Sequence, residues 1–312
     1  MNIKPSLQTK LYGLTEIFGE IVNLYNCNKL PNKILFTGSK GNGKSTLAYH
    51  FINYIFSIDE KHSYDVNSNE INIQNNSFKL IKNCSHPNFH LIDLIDDKKN
   101  IEISQIRSMI NYANKSSFNN FSRFVLIDNV ENLNINSLNA LLKITEEPNN
   151  DLFFILIHND SKKLIKTLKS RCLPFKINLT FDQSIQITNK LLNENIFKLV
   201  NNDLINYYDT PGSYINLINF SKENQLNLNE FNLKKFLLYL IEQNYYKKNN
   251  FIKLNIFNYV ELYFLKIFNN STSKNKIFSF YTKFVNKVNH AKKFNLDYES
   301  LFMEFKSKVL NG

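Results

Sequence analysis

Apolar residues follow two rhythms along this 312-residue chain. Up to about residue 178, short apolar runs alternate with stretches that place apolar side chains at every third or fourth position. Leu14, Ile17, Phe18, Ile21, Val22 and Tyr25 predict a helix over 11–26. Ile34–Thr37 reads as a buried strand, and an amphipathic helix follows from near Lys44 to about Phe56. Residues 59–77 are polar and weakly patterned, which predicts a loop or irregular insertion. Phe89–Leu94 is a second strand. A helix starts at Ile103, with Ser104 a possible N-cap. Arg123–Asp128 is apolar on both faces, as an interior strand of a parallel sheet must be. Asn136–Glu147 reads as a helix with Leu138, Leu141, Leu142 and Thr145 inward, stopped by Pro148. Leu152–Ile157 is a fourth strand, Lys163–Lys169 a helix, and Pro174–Ile177 a closing strand. Strand and helix in alternation predict a doubly wound α/β domain.

From Asp182 onward only the helical rhythm is left. Ser184–Asn195 and Asp203–Tyr208 read as short helices, and Pro211-Gly212 opens another. Asn224–Asn229 is a polar linker. Residues 230–247, 253–269, 274–294 and 297–310 carry Phe, Leu, Ile and Tyr at helical spacing. Three domains are expected, over 1–178, 179–224 and 230–312.

Composition narrows the picture. Hydrophobic residues make up 43% of the chain, with 7 Gly and no Trp, while Asn, Lys, Ile, Phe and Tyr abound. That bias matches AT-rich coding, so part of the lysine excess is compositional. The net charge of +11 and the isoelectric point near 9.3 favour nucleic acid or an acidic partner. Cys27, Cys84 and Cys172 are odd in number and far apart, so they support neither a disulfide framework nor a cysteine zinc site. With no apolar leader and no apolar run of about 18 residues, a cytoplasmic protein without membrane spans is expected.

Candidate chemistry starts at Gly38-Ser39-Lys40-Gly41-Asn42-Gly43-Lys44-Ser45, with Thr46 next. The block fits GxxxxGK[ST] at every fixed position and lies between a strand and a helix. Glycines let the loop turn its N–H groups inward, and the helix N-terminus adds partial positive charge. Lys44 is expected on the β/γ-phosphates of ATP and Ser45 on Mg²⁺. Asp128, closing an apolar strand, is the expected second carboxylate-side support for that Mg²⁺.

Residues 123–177 carry a resemblance. Leu126–Leu133, then Ser137-Leu138-Asn139-Ala140-Leu141-Leu142-Lys143-Ile144-Thr145-Glu146-Glu147-Pro148, then Ser170-Arg171-Cys172, resemble the AAA+ clamp-loader family. His86-Pro87-Asn88, Ile103–Arg107 and Phe294–Asp297 look like its delta-prime branch. The likeness covers roughly residues 5–220. It implies an AAA+ domain, a small helical lid and a helical collar that joins other loader subunits. It also implies Arg171 as an arginine finger for a neighbouring motor subunit and Asn159 as the residue sensing the γ-phosphate. Glu146 and Glu147 oppose the helix dipole; they read as a solvated pair or as a contact with a neighbour.

Departures from the pattern matter as much. Hydrolysing relatives follow the strand-end Asp with a Glu that orients water; here stands Asn129, and Glu131 is at the wrong spacing. The lid arginine expected after Pro211-Gly212 is Ser213. Only Cys84 lies where relatives carry a four-cysteine zinc module, so no zinc is expected. The resemblance thus implies a subunit that binds ATP, hydrolyses it poorly, and helps load a sliding clamp onto primed DNA through phosphate contacts. Its implied partners are motor and delta-like subunits, the clamp and DNA. The alternative is an ATP-hydrolysing, motor-type loader subunit.

Overall fold

The structure, a computed structural model, describes residues 3–95, 98, 100–115, 121–146, 151–160 and 162–310. Each apolar run becomes a strand: β1 (Lys33–Thr37), β2 (Phe89–Ile92), β3 (Arg123–Ile127), β4 (Leu152–His158) and β5 (Leu173–Lys176). They form one sheet in the order β2-β3-β4-β1-β5, parallel throughout. Ile34 lies across from Ile155 on one side of β1 and from Leu173 on the other. Helices α1 (Thr15–Asn26), α2 (Lys44–Phe56), α3 (Asn76–Lys82), α4 (Ile103–Ala113), α5 (Ile135–Glu146), α6 (Lys166–Lys169) and α7 (Phe181–Leu192) accompany the sheet.

The strands alternate their side chains between two cores, as a two-residue period requires. Ile34, Phe36, Phe124, Leu126, Phe153 and Ile155 face one way, with Phe18 of α1, Leu47 and Phe51 of α2 and Phe78 of α3. Leu35, Val125, Ile127, Phe154 and Leu156 face the other, with Ile106 of α4, Leu141 of α5 and Leu168 of α6. This three-layer arrangement explains why the strands read as unbroken apolar runs. Arg123 opens β3 yet is buried. Its guanidinium donates to the Tyr112 and Ala113 carbonyls at 3.1 and 3.4 Å, closing the carboxyl end of α4, whose last carbonyls lack helical partners.

Several elements differ from expectation. Helix α3 starts at the end of the weakly patterned stretch and runs on through residues for which the sequence reading predicts no element, and the Asn75 side chain caps it. The polar stretch before it is not a bare excursion. Tyr64 and Ile71 are buried, and the Tyr64 ring packs on His50 and Tyr54 of α2. That helix is therefore enclosed nearly all round, including His50 and Asn53, rather than amphipathic. The N-cap of α4 is Glu102, not Ser104. Gln105 Oε1 accepts the Glu102 N–H at 3.1 Å, and Ser104, one residue inside, donates to the Glu102 carboxylate at 3.2 Å. Helix α6 is only Lys166–Lys169, so 163–165 is not helical. Glu147 and Pro148 lie outside the described residues.

His50 shows how the enclosed face is held. The Gln8 carbonyl, 3.1 Å from Nε2, can only accept, so Nε2 carries the proton and Nδ1 accepts from Tyr64 Oη at 3.0 Å. Burial lowers the His50 pKa to about 4. The unfolded chain then binds a proton below pH about 6.5 that the native state refuses until about 4, so stability falls as pH drops through that window. A shift of this size corresponds to about 3 kcal/mol. Between pH 7 and 4.5, the wild type is expected to lose about 2–3 kcal/mol more than His50→Gln in urea unfolding. Equal losses would remove His50 as the cause.

The chain divides into two units, residues 1–188 with 210–213, and residues 189–209 with 214–312. The second unit is helical among its described residues. It contains most of α8 (Pro211–Glu223), then α9 (Leu233–Glu242), α10 (Tyr245–Lys248), α11 (Asn250–Asn270), α12 (Lys274–Phe294) and α13 (Glu299–Phe305). The expected 230–247 helix is two pieces, because Asn244 takes the left-handed conformation at φ 58°. The short helix expected at Asp203–Tyr208 is a 3-10 turn over Asn202–Leu204. In the polar stretch 224–229, Leu228 is buried and starts another such turn. Among the described residues no helix is long and apolar enough to cross a membrane.

Candidate functional site

Every strand of this sheet that ends in a polar group ends at the same edge. Parallel strands gather their carboxyl ends, and ligands of open α/β sheets sit there. Gly38 follows β1, Asp93 follows β2, Asp128 follows β3 and Asn159 follows β4.

The Gly38–Ser45 loop folds as the motif requires. Gly38, Gly41 and Gly43 take φ of 142°, 94° and 83°, where side chains are strained. Space forbids side chains as well. A Cβ on Gly38 would lie 2.2 Å from the Ile177 carbonyl oxygen, and one on Gly41 would lie 2.3 Å from Thr210 Oγ1. Asn42 is buried and donates to the Ile177 carbonyl at 3.1 Å. Gly43 caps α2, so Lys44, Ser45 and Thr46 form the first turn, whose N–H groups have no helical acceptor.

Lys44 is 2% exposed. Its ammonium donates to the carbonyls of Gly38 and Ser39 at 2.8 and 2.7 Å. Burial lowers its pKa to about 8, against the raising effect of Asp128, Asp160 and Glu131. Ser45 Oγ donates to Asp128 Oδ2 at 2.5 Å. Asp128 is held above the usual carboxylate range by burial and then by Asp93, while the Ser45 hydroxyl, the Asn129 N–H and Lys44 pull it down.

The strand ends are themselves joined. Asn129, left-handed at φ 56°, donates from Nδ2 to Asp93 Oδ1 at 2.7 Å. Asn159 Nδ2 donates to Asn129 Oδ1 at 2.9 Å, and the Asn159 N–H donates to Glu131 at 3.2 Å. Glu131, out of spacing in sequence, thus reaches the site's edge.

The structure therefore brings together Gly38, Gly41, Asn42, Gly43, Lys44, Ser45, Thr46, Asp128, Asn129 and Asn159. The donor set fits a polyphosphate with a divalent cation. An ammonium and free helix-start N–H groups suit phosphate oxygens, and adjacent hydroxyl and carboxylate oxygens suit a hard cation. Arg171 stands apart. It lies two residues before β5, and Leu173 pairs with Ile34 near the start of β1. It is thus at the amino edge of the sheet, at least about 13 Å from the loop at 3.3 Å per strand residue. The Arg171 side chain is exposed and donates to the Thr167 carbonyl at 2.9 Å.

Two features escaped the sequence reading. Asp93 follows an apolar run just as Asp128 does, and that signal could have found it. Thr210 and Gly212 bond the loop directly: Thr210 Oγ1 donates to the Lys40 carbonyl at 2.9 Å, and Gly212 N donates to the Gly41 carbonyl at 3.1 Å. Ser213 bonds back to Thr210. Nothing local in the sequence announces that contact across some 170 positions.

Known proteins bear on this site. The family model described as DNA polymerase III, delta subunit, matches residues 13–180. The delta' subunit of DNA polymerase III from Buchnera aphidicola (Schizaphis graminum) is 27% identical over 292 residues, covering 88% of this chain and 85% of that one. The gamma subunit from the same organism is 28% identical over 189 residues, or 58% of this chain. Here the chain spans only 48% of the relative's length. Among solved structures, a gamma subunit-related protein of Thermotoga maritima matches with a TM-score of 0.45 and 16% identity, over 93% of this chain and 95% of that one.

Proposed function

Since the chain belongs to the DNA polymerase III delta subunit family, we propose that it is a delta-prime-like subunit of the DNA polymerase III clamp loader, binding ATP with Mg²⁺ yet turning it over slowly. The observation that carries the nucleotide reading is the Lys44–Ser45–Asp128 cluster at the end of β1 and β3. Lys44 and the N–H groups at the start of α2 would hold the phosphates. Ser45 and Asp128 would hold Mg²⁺, which when bound neutralises charge on the phosphates.

Slow turnover is supported by the chemistry of position 129. An amide cannot take a proton from water, and losing a general base costs roughly 10²–10⁴ in rate. Ser213, where a lid arginine is expected, removes a second charge. The domain plan we propose is a nucleotide domain over 1–178, a lid over 179–224 and a collar over 230–312 that joins motor and delta-like subunits. The assembly would open the sliding clamp and place it on primed DNA, in the cytoplasm, with phosphate contacts dominating on the DNA side. Arg171 would serve a neighbour's site, because the sheet holds it away from its own.

The test is direct. Isolated protein is expected to bind ATP in Mg²⁺ at sub-millimolar concentration and to turn it over below about 0.1 s⁻¹, slow against ordinary enzymes. No binding at millimolar ATP would make the loop a relic. Faster turnover would favour the motor-type reading, which the likeness to a gamma subunit also supports.

A further inference from the structure

Asp93, Asn129 and Asn159 form a chain of hydrogen bonds across the carboxyl ends of β2, β3 and β4. Only one member has a fixed polarity. An ionised carboxylate accepts and cannot donate, whereas an amide can present either end. Asp93 therefore turns the Asn129 NH₂ toward itself. The Asn129 oxygen must then face Asn159, and Asn159 must answer with its own NH₂. The geometry matches this order at both links, 2.7 and 2.9 Å. Asp93 is itself held, since the Leu94 N–H donates to its Oδ1 at 2.7 Å and Gln105 Nε2 donates to its carbonyl at 2.8 Å.

Residue 129 is constrained a second way. Its left-handed backbone suits Asn, Asp or Gly and strains longer side chains. Of the two acyclic candidates with a side chain, Asp would set a carboxylate against Asp93 and beside Asp128. Like charges at that distance repel strongly in a partly buried site.

We propose that Asp93 is a positioning residue of the nucleotide site, which dictates an amide at 129 and, through it, sets which face Asn159 presents to the phosphate cradle. The proposal rests on the nucleotide reading above for its last step only. One N–H of the Asn159 amide goes to Asn129, which leaves the other as the side chain's remaining donor toward a phosphate. Poor hydrolysis is then a property of the pair Asp93–Asn129, in which the acid sits on β2 and the amide on β3.

The experiment is a double-variant cycle on the full chain with Asp93→Asn, Asn129→Asp and the exchanged pair Asp93→Asn/Asn129→Asp. It is read by melting temperature and by titration with ATP and Mg²⁺. Asn129→Asp is expected to melt about 3–6 °C below wild type. The exchanged pair, which restores one acid against one amide, should regain at least half of that loss. Asp93→Asn alone should melt within about 2 °C of wild type yet bind ATP about tenfold more weakly, because two amides no longer fix the Asn159 orientation. Additive melting shifts, or an exchanged pair no better than Asn129→Asp, overturn the proposal. So does unchanged ATP affinity in Asp93→Asn. If wild type itself binds no ATP, the nucleotide reading fails, while the melting cycle still decides whether Asp93 governs residue 129.

Discussion

Replacing Lys44 by Met is expected to raise the dissociation constant for ATP and Mg²⁺ at least a hundredfold while leaving the fold as stable as wild type, or more so, at pH 7. The two halves have one cause. The Lys44 ammonium is buried among backbone groups and donates to two loop carbonyls. Burial lowers its pKa to about 8, so the native state binds this proton less tightly than the unfolded chain does. Between pH 8 and 10.5 the unfolded state holds more protons, and stability rises with pH. At pH 7 the charged form is kept at a cost of about 3 kcal/mol, to order of magnitude. Met fills similar volume without that charge, although it leaves the Gly38 and Ser39 carbonyls short of a donor at about 1 kcal/mol or more each. The terms nearly cancel for folding.

For a bound triphosphate they do not cancel. Moving from neutral carbonyls to anionic phosphate oxygens adds a charge–charge attraction, strong in a buried site, to bonds that the ammonium already assists from the donor side. Calorimetric titration and thermal melts with and without nucleotide read both halves. Wild type should gain melting temperature with ATP, and Lys44→Met should not. A variant that binds within threefold of wild type would sink the role, and one that melts more than about 5 °C lower would show Lys44 to be structural first.

How much of this could be read from the sequence depended on where the constraint lies. Buried parallel strands announce themselves because both faces are apolar, and the apolar runs around Leu35, Val125 and Phe154 end within one residue of the observed strands. The loop from Gly38 to Ser45 was legible because its glycines are forced by backbone approach, from Ile177 and from Thr210. Helix ends were less so. This chain has 7 Gly, and Asn does much of glycine's work, taking positive φ at 28, 69, 129, 193, 244 and 295. Its short polar side chain tolerates that region. An Asn in so Asn-rich a sequence is a weak stop signal, so the break at Asn244 passed unseen. Thr210 was missed for a different reason: its role arises from pairing with a loop some 170 positions away, and a single sequence records such pairing nowhere.

The same logic separates Arg171 from the residues of its own loop and gives the remaining large effect. Its motif is local, but its meaning depends on strand direction. Because β5 runs parallel to β1, Arg171 is fixed at the edge of the sheet opposite the phosphate cradle, where no motion of a side chain alone could bring it back. Its bond to the Thr167 carbonyl holds the stem along the last turn of α6, which would reduce the rotamer freedom lost in the docking proposed above. A guanidinium presented this way can stabilise charge on a phosphoryl group in a neighbouring subunit, an effect worth about 10³–10⁵ in rate at the site served. In a loader reconstituted with its motor subunits, Arg171→Ala is expected to leave assembly intact by gel filtration while lowering turnover at that site about 10³-fold. Total ATPase should then fall by that site's share. Arg171→Lys should recover little, because a point ammonium lacks the planar fork that meets two phosphate oxygens. Full recovery with Lys would mean that charge alone suffices, through steering of association rather than contact with the reacting group. Unchanged ATPase in the Ala variant would assign Arg171 to the surface of this subunit and leave the neighbour's site to find its cation elsewhere.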